Sequence, residues 1–170
     1  MGSSSSKFRR YLQNGEEYAA LQIFQNSLEL QHSLDPNSSY GDSLKHNTPL
    51  HLAAHRAMKP LLRIFLSDLK GNPNKQNSLG ETPLHLVCQG DDPGNQINEE
   101  KRSICLNLLL QWKPSNPEKK LKLDCVDNEG NTALHYAAAS GLKNVLKFLS
   151  HMEHHYLLKI NLHKQYVIWL

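Results

Sequence analysis

Histidines and cysteines are the residues here that could do chemistry. Three of the histidines stand at one place in a recurring phrase. Thr48-Pro49-Leu50-His51 leads into Leu52-Ala53-Ala54, Thr82-Pro83-Leu84-His85 into Leu86-Val87-Cys88, and Thr132-Ala133-Leu134-His135 into Tyr136-Ala137-Ala138-Ala139. A neutral imidazole can hold a metal or take a proton. Either role needs partners, and no carboxylate follows these histidines at a fixed spacing. His151, His154 and His155 would share one face of a helix, an arrangement that suits a metal, with an ordinary tail or makeshift cap as the competing expectation. Cys88, Cys105 and Cys125 are odd in number and include no C-x-x-C pair, which argues against a disulfide framework or a zinc site. Reduced core thiols are expected instead. G-x-S-x-G, H-E-x-x-H and phosphate-loop patterns are absent from the sequence. No catalytic residue, cofactor or metal is therefore expected, and the chain does not read as an enzyme.

The phrase makes better sense as structure. Threonine suits a helix N-cap, because its hydroxyl can accept an N–H of the first turn. Proline suits the next position, where no N–H bond is lost. Leucine then points inward. The histidine ring can bond the threonine hydroxyl and the backbone of a neighbouring unit. Small residues behind it let the next helix approach closely. Recurrence of such a unit predicts stacked layers that share one core.

These residues resemble the ankyrin repeat, whose pattern runs D-x-x-G-x-T-P-L-H-x-A-A-x-x-G, then a second helix and a return loop. Asp127-Asn128-Glu129-Gly130-Asn131-Thr132 and Ala139-Ser140-Gly141 show it best, and Gly71-Asn72-Pro73-Asn74 resembles the return loop. The resemblance implies an all-α ankyrin-repeat solenoid. Thr48 and Thr82 are 34 positions apart, but Thr82 and Thr132 are 50 apart, about 17 more than the usual period. Residues 90–98 and 114–120, rich in Pro, Gly and Asn, can absorb the difference as surface loops. Ala57 stands where the pattern has glycine, which predicts local strain or adjustment in the first repeat.

Second helices are expected over 60–68, about 99–112 and 142–150. Their apolar stripes are Leu61, Leu62, Ile64, Phe65 and Leu69; Ile104, Leu106, Leu108, Leu109 and Leu110; and Val145, Leu146, Phe148 and Leu149. A further pair, broken at Asn14-Gly15, is expected upstream as a degenerate cap. The divisions are then a flexible start 1–6, a capping pair 7–32, a linker 33–45, repeats at 46–78, 79–122 and 123–150, and an atypical tail 151–170. An uncapped last layer would leave Leu134, Val145 and Phe148 partly open.

Linker segments narrow the resemblance. Ser33-Leu34-Asp35-Pro36-Asn37, Ser39-Tyr40-Gly41, His46-Asn47 and Asn74-Lys75, together with Met1-Gly2 and the serine run after it, resemble the N-terminal arm of the ankyrin repeat and IBR domain-containing proteins, which are RING-between-RING ubiquitin ligases. The resemblance covers about residues 1–150. In that family catalysis belongs to a downstream Cys/His array, so no ligase residue carries over. It implies a substrate- or partner-binding arm that works beside ubiquitin-conjugation machinery.

Composition limits the partners. A formal charge of +3 is small, and the lysines at 113, 119, 120 and 122 lack interleaved aromatics, so they read as solvated surface and nucleic acid is not expected. No run is long enough for a membrane span, and a cytoplasmic location is expected. Gly2 with serine at the sixth position fits N-myristoylation, and Lys7, Arg9 and Arg10 follow, so peripheral membrane contact is expected once Gly2 is acylated. By resemblance to ankyrin arrays, a protein partner is expected to meet His55, Arg56, Ser78, Leu79, Glu81, Asn128, Glu129, Asn131 and Ser140. A non-catalytic interaction module is the leading expectation, and a ubiquitin-ligase arm the alternative.

Overall fold

The computed structural model describes residues 2–90 and 99–160, with the side chains of 153–160 excepted. Its helices are α1 (Ser4–Asn14), α2 (Glu17–Asn26), α3 (Leu28–Ser33), α4 (Pro49–His55), α5 (Lys59–Arg63), α6 (Pro83–Cys88), α7 (Glu99–Leu110), α8 (Ala133–Ala139) and α9 (Lys143–Ile160). Among the described residues there is no strand. Contacts sort the helices into two rows. One row runs α1, α4, α6, α8, and the other α2, α5, α7, α9, each helix packed on its neighbour in the row. Each layer is one helix from each row.

Thr48 and Thr82 start α4 and α6 as the sequence predicts. Their hydroxyls accept the N–H of His51 and His85, and proline occupies the first turn. The leucines of the phrase, Leu50, Leu84 and Leu134, are buried between layers, as are Ala53, Ala54 and Ala137. Phe8 meets Phe24 at 6.0 Å and Phe65 at 6.3 Å, which joins the upstream pair to the first repeat.

The histidines bind layer to layer. Nδ1 of His51 accepts the Thr48 N–H at 3.2 Å and lies 2.8 Å from the Thr48 hydroxyl. An acceptor Nδ1 leaves the ring proton on Nε2. Nε2 then donates to the Glu81 carbonyl at 3.0 Å. His85 repeats the arrangement, with its Nε2 donating to the Asn131 carbonyl at 2.9 Å. Glu81 and Asn131 each directly precede the next threonine. His135 makes the same inner bonds to Thr132, at 3.1 and 2.9 Å. Burial pulls the His51 pKa down to about 4 and lowers that of His85 as well.

Return loops are clamped by asparagine. Asn37 Oδ1 accepts the Asn72 N–H at 2.6 Å, and its amide reaches the Lys70 carbonyl. One layer on, Asn74 Oδ1 accepts the Lys122 N–H at 2.8 Å and its amide donates to the Lys120 carbonyl at 2.8 Å. Each side-chain amide thus acts as one more peptide group in the next loop.

Several local features depart from expectation. The Ser-rich start is helical from Ser4, because the Ser3 hydroxyl caps the Ser6 N–H at 3.2 Å. The short helix α3 is additional: Ser27 caps it, and the Gln31 side chain donates to the carbonyls of Phe24 and Gln25 at the end of α2. After Arg63 the chain widens into a π turn over Ile64–Asp68. Ala57 adopts φ 51, the left-handed conformation that Gly141 takes at φ 68 in the third repeat. A side chain there costs about 1 kcal/mol or more.

At the other end, α9 runs across position 150 to Ile160. The layer is more closed than expected: Leu134 and Val145 are buried, and only Phe148 of the three is open. Glu99 explains part of this. Its carboxylate accepts the N–H groups of Asn144 and Val145, so an acid that suits the start of α7 also caps α9. Residues 91–98, expected as part of a surface loop, His154 and His155 as side chains, and the apolar end 166–170 lie outside the described residues.

The buried histidines set the acid response. Unfolded, His51 titrates at 6.5; folded, near 4. Between those values the unfolded chain binds more protons, so the stabilisation is complete above the higher value and is lost as pH falls through the lower one. Urea unfolding across this window should show stability falling steadily, and His51→Gln should flatten the slope. A wild-type stability that stays level down to about pH 4.5 would contradict the assignment.

Candidate partner-binding surface

The turns before α4, α6 and α8 form a row of tips. Asn77 and Asp127 build their turns in the same way, each side-chain oxygen accepting N–H groups two and four residues on. Gly80 and Gly130 close them at φ 77 and 82. The Ser78 N–H donates to the Lys45 carbonyl at 2.9 Å, and the Asn128 N–H to the Leu79 carbonyl at 2.9 Å. Asn128 also donates its side-chain amide to the Ser78 carbonyl. The Ser78 hydroxyl likewise donates to the Lys45 carbonyl, so neighbouring tips are fixed in register by at least two bonds per step.

This row places Ser78, Leu79, Asn128 and Glu129 together and exposed, with Leu79 the apolar member at 42% exposure. Asn131 is half-buried, its carbonyl engaged by His85. Ser140 sits past the far end of α8, where its hydroxyl accepts the Gly90 N–H at 2.6 Å. Its side borders a cleft of about 430 Å³ that Glu129, Asn131 and Tyr136 also line. His55 and Arg56 lie at the far end of α4, about 10 Å of helix from the tips. Both are half-buried, and Arg56 is a strut, donating to the Gln13 carbonyl at 3.0 Å.

Glu81 is a correction. It is buried at 6% exposure and faces inward, away from any partner. Its carboxylate accepts the Asn77 amide at 2.9 Å and meets the Tyr136 hydroxyl at 2.9 Å. The same hydroxyl is 2.6 Å from Asp127. One phenolic hydrogen is thus divided between two carboxylates, and the shorter contact holds it more strongly. Burial pushes the Tyr136 phenol up, and its bonds to both acids push it further. Burial also works to raise the Asp127 carboxyl, but the bonds from Tyr136, Asn131 and Glu129 outweigh it and hold that group below the usual range. The chain Asn47, Asn77, Glu81, Tyr136, Asp127 runs through the tips of all three repeats.

Arg102 escaped the sequence reading altogether. It is fully buried on α7 and donates to the Val87 carbonyl at 2.8 Å, the Leu86 carbonyl at 3.3 Å and the His55 carbonyl at 3.2 Å. These carbonyls lie in the last turns of α6 and α4, where helical partners run out; that of Leu86 also accepts the Gln89 N–H at 3.3 Å. The signal was present: Arg102 precedes Cys105, Leu106 and Leu109 by three, four and seven positions, so it lies on the core stripe. Cys88 and Cys105 are buried too, and burial pushes the Cys105 thiol up to about 12, far from a reactive thiolate. Among the fully described residues no group of three or more His, Cys, Asp or Glu gathers as a metal would require, and no helix is long and apolar enough to cross a membrane.

Capped helix pairs in sequence, bonded tip to tip with an exposed varied row, define a repeat solenoid of the protein-binding kind. The chain belongs to the ankyrin-repeat family, whose model for three copies matches residues 50–161. It is similar to ankyrin repeat and IBR domain-containing protein 1 of Mus musculus, 43% identical over 167 aligned residues, which cover 88% of this chain and 15% of that protein. The Homo sapiens counterpart is 42% identical over the same shares. The Homo sapiens transient receptor potential cation channel subfamily A member 1 is 30% identical over 141 residues, 73% of this chain and 12% of that one. The chain spans about 15% of the length of the two relatives it matches best among these.

Arg102→Met should remove the carbonyl partners of two helices and destabilise the chain by about 2–4 kcal/mol in urea unfolding, with Arg102→Lys recovering only part. A loss below about 0.5 kcal/mol would mean that the guanidinium bonds are not needed.

Proposed function

We propose that the chain is a non-catalytic adaptor that holds a protein through its tip row, and that it serves as the partner- or substrate-holding arm of a RING-between-RING ubiquitin ligase. One observation carries the first part: the tips are locked in register, partly by the Ser78 and Asn128 side chains, while Leu79 and Glu129 stand exposed at matching positions and differ in chemistry. A preformed surface of that kind binds without the cost of ordering loops. Similarity to the two ankyrin repeat and IBR domain-containing proteins, across linker as well as repeat residues, supports the second part. In this reading the arm brings a target near the catalytic part and contributes no reacting group.

A photo-cross-linking amino acid in place of Leu79 or Glu129 should capture the partner in cells. The same residue in place of Tyr18, exposed on α2, should not. Equal capture from all three positions, with folding intact, would remove the tip row as the site. Recovery of ubiquitin-conjugating enzymes or ubiquitinated protein in the adducts is the outcome that the ligase-arm reading requires.

The same proposal includes acylation of Gly2. Gly2 is exposed, and Arg9 and Arg10 stand exposed on α1 behind it. One acyl chain binds a membrane weakly, and each nearby cation adds about 1 kcal/mol on an anionic surface. Ser6 lies within the first turn of α1, so this turn must open for the modifying enzyme. Co-expression with an N-myristoyltransferase should add a myristoyl mass at Gly2, and an unmodified terminus would end the idea.

A further inference from the structure

We propose that a second groove, where the second helices end, docks an acidic peptide segment that carries a large apolar side chain. The groove encloses about 1140 Å³ beside the return loop after α5 and the stretch after α7. Leu66, Leu108 and the half-buried indole of Trp112 give it an apolar floor. Arg63, Lys70, Lys113 and Lys119 stand exposed around it, and Lys75 joins them while donating to the Asn37 carbonyl. Among the described residues no Asp or Glu lines it. Asp68 and Glu118 are close in sequence but are not part of the lining. Among the described residues the ion pairs are Asp42 with His46 and Glu17 with Lys101, and neither uses a groove cation.

Five like charges around one hollow repel one another, and an anion in the groove relieves that repulsion. Helix dipoles do not account for the set. Arg63 lies in the last turn of α5, but Lys70, Lys75 and Lys119 stand on loops beyond any such turn. The hollow is also preformed. The Asn37 and Asn74 clamps hold the loops that make its walls, so little ordering is lost on binding. A cationic rim over an apolar floor selects an anion with a greasy anchor. A bare polynucleotide would find one indole and no succession of stacking platforms. A bilayer surface is too flat to reach a recessed floor. An extended peptide of Asp and Glu around a Phe or Leu satisfies both parts at once.

This site is separate from the tip row, and its test uses the full chain. The probe is a labelled nonapeptide of Asp and Glu with a central Phe, followed by fluorescence anisotropy. The peptide should bind, weaken at least about tenfold when Lys70, Lys113 and Lys119 are all replaced by Glu, and weaken with added salt, as exposed charges require. Trp112→Ala should weaken it severalfold, as should replacing the central Phe with Gly. The charge-reversed protein should melt within a few degrees of wild type, since its three changes are exposed, and Leu79→Asp should leave peptide binding unchanged. No binding, equal binding by the charge-reversed protein, equal binding of the Gly peptide, or tighter binding to phosphatidylserine vesicles or polyadenylate would each overturn the proposal.

Discussion

One hydrogen bond recurs through this molecule and orders the rest: a histidine Nε2–H reaching from one layer to the carbonyl just before the next layer's threonine. A helix pair of this size cannot bury its own apolar stripe, so every layer needs its neighbour. Apolar packing supplies most of that attraction, but packing is tolerant of small slips. The imidazole is not. Its Nδ1 is committed to the threonine of its own layer, at 3.2 and 2.8 Å in the first repeat, which aims Nε2 in one direction. The next layer must bring its carbonyl to that point. The threonine then starts the next helix from a defined position, and the turn before it becomes a tip in line with its neighbours.

Register at the tips is therefore inherited from the interior. The bonds from Ser78 to Lys45 and from Asn128 to Leu79 form only when the layers are correctly aligned. Beneath them the network from Asn47 to Asp127 joins the three repeats with charge-assisted bonds and closes on a single phenol. Arg102 performs the corresponding service at the far ends of α4 and α6. Asparagines 37 and 74 do so at the loops. Polar groups at three heights thus fix an apolar stack whose outer residues are then free to vary. That division is what an interaction module requires: a fixed frame, and side chains on it that touch no core.

How much of this was legible in the sequence depended on how local the physics is. Thr48, Pro49, Leu50 and His51 announce their roles because cap, first turn, core and ring bond lie within four residues. The left-handed Ala57 was legible for the same reason, as the residue where the pattern has glycine. Glu81 was not. Its burial comes from Tyr136, which lies 55 positions away, and no spacing rule connects the two. Glu99 capping α9 and Asn74 clamping residues 120 and 122 are equally remote in sequence. Helix α3 was lost because its signals are weak: a serine hydroxyl that accepts the Leu30 N–H, and a Gln31 side chain whose role depends on the α2 carbonyls that it satisfies. Arg102 was legible but overlooked, since a charge in the core register of a helix is itself the signal. On the surface, the tip residues could be placed by likeness to a repeat pattern, while the basic groove could not. Its cations come from three segments, 63–75, 113 and 119, that only the stacking brings together.

The central claim concerns where one proton sits and what it touches. Nitrogen-15 NMR of the histidine rings in the folded chain tests it directly. The account predicts that His51 is a neutral Nε2–H tautomer at pH 5.5 and that His85 is the same tautomer at pH 7.5, each with an Nε2 proton that exchanges slowly with water because a carbonyl of the next layer holds it. A His51 ring that is protonated at pH 5.5, or either ring averaging rapidly between the two neutral tautomers, would mean that the layers are not joined through these bonds.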